Sequence, residues 1–337
     1  MDKKVLVVGA GGFVGGFIVA EGLRRGYEVW AGVRESTSRQ WLTDERIHFI
    51  NFDFGDISDI SKKMKATLEE GERWDYIIYN LGATKVTSYS DFSRINYEYL
   101  RNFTTALKSA DMMPDKFLYI SSLSAMGPGN PKSYEPFDEN MIPIPNTKYG
   151  ASKLKAEMWL EMDGIPYIIF RATGIYGPRD KDYYLMLKSV EKGFDFSVGF
   201  RKQMLTFIYV DDLVDAMYDA LEKSGVKETY NIAEGRSYTQ GEYRRLAARA
   251  MGKKFVTPVK VPIWGLKIVS VISEKIGIIR MKPSTLNRDK YHIMKQRNWN
   301  VDITKAQKGF GFNPRNSLEM GLIKSVKWYR EQGWLKP

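Results

Sequence analysis

A short apolar run, Val5–Val8, leads straight into Gly9-Ala10-Gly11-Gly12-Phe13-Val14-Gly15 and then into a helix-like stretch. This turn constrains the fold more than any other segment. A chain that leaves a buried strand and enters a helix at once needs the backbone angles open to glycine. The same unit presents unpaired N–H groups and the positive end of a helix dipole to an anion. Gly9, Gly12, Phe13, Val14 and Gly15 are therefore expected to hold the pyrophosphate of a dinucleotide. Close packing of helix on strand is the purely structural alternative.

The rhythm that follows fixes the class. Val5–Val8, Glu28–Val33, Ile47–Phe52, Tyr76–Asn80, Phe117–Ser121 and Tyr167–Phe170 read as short, doubly buried strands. Helical patterns over Phe13–Arg25, Ser58–Glu70, Ser93–Ala110 and Thr147–Met162 separate several of them. Such alternation implies right-handed crossovers and an α/β fold, a Rossmann-type doubly wound parallel sheet. Past residue 178 the rhythm changes, although Thr206–Val210 and Leu213–Lys223 still suit the sheet domain. The expected organisation is a dinucleotide-binding domain of residues 1–178 plus 205–232. Residues 179–204 plus 233–337 would form a smaller, discontinuous substrate-binding lobe of loops and helices.

The second strand should end beside an adenosine ribose. An acid there grips the 2′-hydroxyl of NAD. This chain has Val33 followed by Arg34, Ser36 and Arg39, which suit a 2′-phosphate, so NADP(H) is the expected cofactor and NAD(H) the alternative. Asp53 and Phe54 should border the adenine. Leu81, Gly82 and Ala83 should lie along the cofactor.

Tyr149 and Lys153 stand at i and i+4, on one helix face. A phenol ionises near pH ~10, and an adjacent ammonium lowers that value, making an acid/base usable near neutrality. The same lysine can hold a nicotinamide ribose. Ser122, at a strand end, supplies a hydroxyl to polarise a carbonyl, with Ser124 as the less favoured choice. Cysteine is absent and there are two histidines, His48 and His292, so thiolate chemistry is excluded and a His-based triad or metal site is disfavoured.

With these residues in place, the chain resembles the short-chain dehydrogenase/reductases of the extended type. The resemblance rests on Gly9, Gly12 and Gly15, Asp53, Asn96, Ser122, Tyr149, Lys153, Arg171 with Tyr176-Gly177-Pro178, and Phe207-Ile-Tyr-Val-Asp-Asp212-Leu. It implies Ser122 as the carbonyl-polarising group, Tyr149 as proton donor/acceptor and Lys153 as its partner. It also implies Asn96 as a structural helix asparagine, and Thr173 and Ile175 at the cofactor. The family's dehydratases follow the hydroxyl residue with an Asp-Glu pair, where this chain has Leu123 and Ser124. Its nucleotide-sugar enzymes carry an Arg before the Phe-Ile-Tyr-Val strand, where Leu205 and Thr206 stand, with Arg201 and Lys202 nearby. The tryptophan-rich end, Trp299 to Leu335, resembles the 3β-hydroxysteroid dehydrogenase and dihydroflavonol reductase-like branch. The expected activity is interconversion of a ketone and a secondary alcohol on a small, rather apolar substrate. An NAD-dependent nucleotide-sugar epimerase is the alternative, and a cofactor-binding sensor is the rival from another class. The family often forms homodimers.

Charge is uneven. The formal net charge is +11, and residues 251–337 alone hold 18 basic and 5 acidic side chains. No nucleic-acid motif accompanies them. Lys260, Lys267, Lys275 and Lys282 alternate with an apolar series from Val261 to Ile279. Three readings fit: a cap helix packed on the core with snorkelling lysines, an apolar lid, or peripheral contact with an anionic membrane, which Pro262, Gly265 and Gly277 disfavour. Too few residues precede Val5 for a signal peptide, and no run approaches the ~20 apolar residues of a span, so a cytoplasmic location is expected.

Overall fold

The computed structural model describes residues 3–336. Lys4–Val8 shows why the main sheet forms. Its four apolar residues are fully buried, and alternate members feed two separate cores, Val5 and Val7 on one face, Leu6 and Val8 on the other. A strand apolar on both sides must be covered on both sides. Helices Phe13–Arg24 and Val210–Lys223 cover one face. Ile57–Glu69, Tyr99–Ser109 and Lys148–Met162 cover the other.

Seven parallel strands lie in the order Glu228–Ile232, Tyr167–Ala172, Lys116–Ser122, Tyr76–Tyr79, Lys4–Val8, Glu28–Val33, His48–Asn51. The sheet is doubly wound. Its strand order reverses between Lys4–Val8 and Tyr76–Tyr79, and the crevice at that reversal is where such folds bind ligands.

The structure differs from the sequence reading in four places. The stretch Ser93–Ala110 is not one regular helix; Ser90–Ser93 passes through a π-helical segment, Arg94–Glu98, before Tyr99–Ser109. The wider turn carries Asn96, which is completely buried. The seventh strand, Glu228–Ile232, was hidden by its polar Glu228, Thr229 and Asn231. Met204–Tyr209 stays outside the main sheet, pairing in parallel with Gly174–Tyr176 and antiparallel with Ser237–Thr239. The cap is not only loops and helices, because Phe194–Val198 and Thr257–Val261 form a parallel ribbon. Among the described residues, no helix is long and apolar enough to cross a membrane.

Candidate active site

The glycine turn sits at the reversal point. Gly9 has φ +83°, and a Cβ there would stand 2.8 Å from the Leu81 nitrogen. A Cβ on Gly15 would overlap the Gly9 carbonyl oxygen, so this glycine lets helix Phe13–Arg24 lie against the turn. Gly12 caps that helix without any side-chain bond, and no acid lies in the first turn. A Cβ on Gly12 would meet nothing nearer than 3.4 Å. Protein packing therefore does not demand that glycine, whereas a pyrophosphate approaching the uncapped N–H groups does. These residues fit a dinucleotide.

After strand Glu28–Val33, Arg34–Thr37 is a tight turn: the Thr37 N–H donates to the Arg34 carbonyl at 2.9 Å. The Thr37 methyl lies over Gly11, which sets the loop on the glycine turn. Arg34, Ser36 and Arg39 are exposed there, and the Arg39 guanidinium stacks 4.1 Å from the Phe49 ring centre. The Asp53 carboxylate accepts from the Gly55 N–H at 2.9 Å. The Phe54 ring is buried against Phe52 and Phe103, so only its main chain is left to border a ligand.

On the other side of the crevice, Asn96 holds the segment Leu81–Ala83. Its side chain accepts from the Ala83 N–H at 2.7 Å and donates to the Ala83 carbonyl at 3.1 Å and to Ser152 at 2.9 Å. A Cβ on Gly82 would stand 3.1 Å from both Asn96 Oδ1 and Lys153 Nζ, so this glycine brings main chain close to the lysine. Thr173 donates to the Thr206 carbonyl at 2.9 Å, and Ile175 pairs with Ile208, joining the main sheet to the smaller one.

Helix Lys148–Met162 carries Tyr149 and Lys153. Thr147 caps it, accepting from the Gly150 N–H at 2.9 Å. A second cap comes from far along the chain: the Asp289 carboxylate accepts from the N–H groups of Lys148 and Tyr149, each at 2.9 Å. The Tyr149 ring lies 5.9 Å from Phe92. Ser122 caps its own short turn, accepting from the Ser124 N–H at 3.2 Å, and its hydroxyl also faces the Tyr149 phenol. Ser124 is buried, with its carbonyl packed under Gly150. Ser122 thus meets Tyr149, while Lys153, four residues further along the same helix, reaches the Ile120 carbonyl and the main chain of Gly82.

The electrostatics depart from expectation. Burial pushes the Tyr149 phenol up to about 12, and the Ser122 hydroxyl is what draws it down. Burial pulls Lys153 down to about 7, with Glu157 opposing. Ser122, and not Lys153, is the group that draws the Tyr149 phenol down; the Lys153 side chain donates to the Ile120 carbonyl at 2.7 Å.

Two contributors escaped the sequence reading. Glu157 is buried, pairs with Arg171 at 2.7 Å and accepts from Ser121. It stands four residues beyond Lys153, so helical spacing alone could have exposed it. Asp289 had no local signal.

Residues 5–233 match the model of the NAD dependent epimerase/dehydratase family. The ceramide reductase of Caulobacter vibrioides is 22% identical over 333 residues, spanning 98% of this chain and 96% of that protein. The UDP-glucose 4-epimerase of Thermotoga maritima, solved with UDP-glucose, aligns with a TM-score of 0.75 at 23% identity, covering 98% of this chain and 99% of that one. The dTDP-glucose 4,6-dehydratase of Bacillus anthracis, solved in complex with NAD, aligns with a TM-score of 0.76 at 19% identity, covering 99% of each.

Proposed function

Since this chain belongs to the NAD dependent epimerase/dehydratase family, we propose that it interconverts a secondary alcohol and a ketone at Ser122, Tyr149 and Lys153. The observation that carries this reading is the placement of Ser122 against Tyr149, with Lys153 on the same helix reaching Gly82 at the sheet's reversal point. A bound nicotinamide dinucleotide supplies the hydride donor or acceptor. The Ser122 hydroxyl holds the reacting oxygen. Tyr149 gives that oxygen a proton or takes one, and Lys153 supplies positive charge once it leaves the Ile120 carbonyl.

Likeness moves the substrate reading toward nucleotide sugars, the substrates named for the epimerase and the dehydratase above. An NAD-dependent nucleotide-sugar epimerase is thus the first reading. Dehydration is disfavoured, because Leu123 and Ser124 stand where an acid pair would act. A reductase of an apolar ketone is the second reading, supported by three observations. Arg34 and Ser36 are exposed at the glycine turn, where they suit the 2′-phosphate of an exchangeable NADP(H). Thr206, at the place of the sugar-nucleotide Arg, is committed to the Trp299 carbonyl at 2.8 Å. The third is the ceramide reductase, which matches almost end to end.

The deciding experiment incubates the protein with UDP-glucose and NAD, and separately with a panel of steroid, flavanone and lipid ketones and NADPH. C4 inversion without net cofactor consumption identifies the epimerase; stoichiometric NADPH loss identifies the reductase. In either assay Tyr149→Phe is expected to lower turnover by about 10²–10⁴-fold while cofactor affinity stays within about twofold. Unchanged turnover in that variant would remove the assignment.

A further inference from the structure

Pro262, Gly265 and Gly277 do not break helix Ile263–Ile279, which starts after Pro262 and runs through both glycines, and the helix is built inside out. The residues it buries include Leu266, Ser270 and Gly277, two of them small. Its large apolar side chains face outward: Trp264 is 70% exposed, Ile268 52%, Ile272 53% and Ile279 81%. Trp264, Ile268, Ile272 and Ile276 follow one another at i, i+4, which makes a single ridge. An exposed apolar surface of this extent marks a binding face.

Charge identifies the occupant. Residues 253–282 hold seven basic side chains and one acid, Glu274. That acid is spoken for: it pairs with Arg288 at 2.8 Å and accepts from the Tyr89 hydroxyl at 2.8 Å. Lys267 and Lys275 flank the ridge, and Lys260 lies beside the exposed ring of Phe200, 6.0 Å from its centre. A second copy of the chain would set this basic face against itself. An anionic surface would not. The helix has 17 residues, about 26 Å at 1.5 Å per residue, short of a ~30 Å hydrocarbon core, and it carries charges at mid-length. It is suited to lie on a bilayer and not to cross one.

We propose that this helix docks the protein on an anionic lipid bilayer, with the Trp264–Ile279 ridge in the acyl boundary and the lysines at the phosphates. The surface is independent of which substrate the active site takes.

The test uses the full-length protein with phosphatidylcholine vesicles, with and without phosphatidylglycerol. Co-sedimentation is expected only with the anionic vesicles and is expected to fall as salt is raised. Lys267→Gln and Lys275→Gln should each weaken binding about fivefold. Ile268→Ser with Ile272→Ser should weaken it about tenfold or more. The chain has no cysteine, so Ile272→Cys accepts a single environment-sensitive dye. Its emission should shift to the blue when anionic vesicles are added. No retention on anionic vesicles, or retention indifferent to all four substitutions, overturns the proposal. A dye shift driven by protein concentration without lipid also overturns it, because the ridge would then be covered by a second copy.

Discussion

Lys153 is the residue at which stability and the proposed chemistry pull apart. Its ammonium is 95% shielded, and burial lowers its pKa from an ordinary 10.5 to about 7. Between those values the unfolded chain holds a proton that the folded protein has released. Stability from this group therefore rises with pH from about 7 toward 10.5, and its cost is fully felt below 7. Replacing it with an unbranched apolar side chain of similar length removes the buried charge and loses one bond, to the Ile120 carbonyl. Lys153→Met is expected to be more stable than the parent by roughly 1–2 kcal/mol at neutral pH. The gain should shrink as pH approaches 10, and turnover should be lost. Thermal melts across that range check the sign. The Tyr149/Lys153 pair was legible in the sequence because helical spacing alone puts the two on one face. The burial that sets their pKa values, and the carbonyl that holds the lysine, come from strand Lys116–Ser122, which no spacing rule reaches.

The helix carrying the tyrosine is held at its start by two acceptors of different origin. Thr147 is local and could be read from the sequence as a cap. Asp289 arrives from helix Arg288–Met294 in the second lobe and takes the N–H groups of Lys148 and Tyr149 itself. A carboxylate at a helix N-terminus is favoured by both its hydrogen bonds and the dipole. Asp289→Ala leaves two N–H groups without that partner beside the Tyr149 phenol. It is expected to cost about 1–2 kcal/mol of stability and to lower kcat, with Asp289→Asn recovering part of both. Denaturant titration and steady-state rates read the two effects separately. An unchanged kcat would mean that Thr147 alone fixes the tyrosine. The same contrast explains which elements were legible. Glu28–Val33 is a strand over the residues its apolar run marks, because local pattern and burial agree. The π-helical segment Arg94–Glu98 was not, because it exists to deliver Asn96 to the main chain of Ala83, a tertiary demand.

Residues 299–312 come back to the core of the main sheet. Trp299, Val301, Ile303, Ala306, Phe310 and Phe312 share one apolar cluster with Val5, Val7 and Leu213. Asp212 is buried, and its carboxylate accepts from the N–H groups of Arg315 and Asn316 at 3.2 and 2.9 Å and from the Asn316 side chain at 2.9 Å. Beyond it, helix Leu318–Glu331 brings Tyr329 against Tyr184 and Trp334, so the last turns of the chain pack on helix Asp182–Glu191 of the cap. The second lobe has an apolar cluster of its own, with Leu187, Tyr243, Leu322 and Tyr329 in it, but the return of residues 299–316 stitches that lobe to the main sheet. Heating is therefore expected to give one calorimetric transition, with calorimetric and van't Hoff enthalpies equal, despite the chain's length. Asp212→Ala leaves three donors, the two of Asn316 buried, without their acceptor. It should lower the midpoint of that single transition, by about 3 kcal/mol in stability, without splitting it. Two resolved transitions in either protein would mean that the second lobe stands on its own contacts, and that the return of residues 299–316 to the sheet is not what holds it.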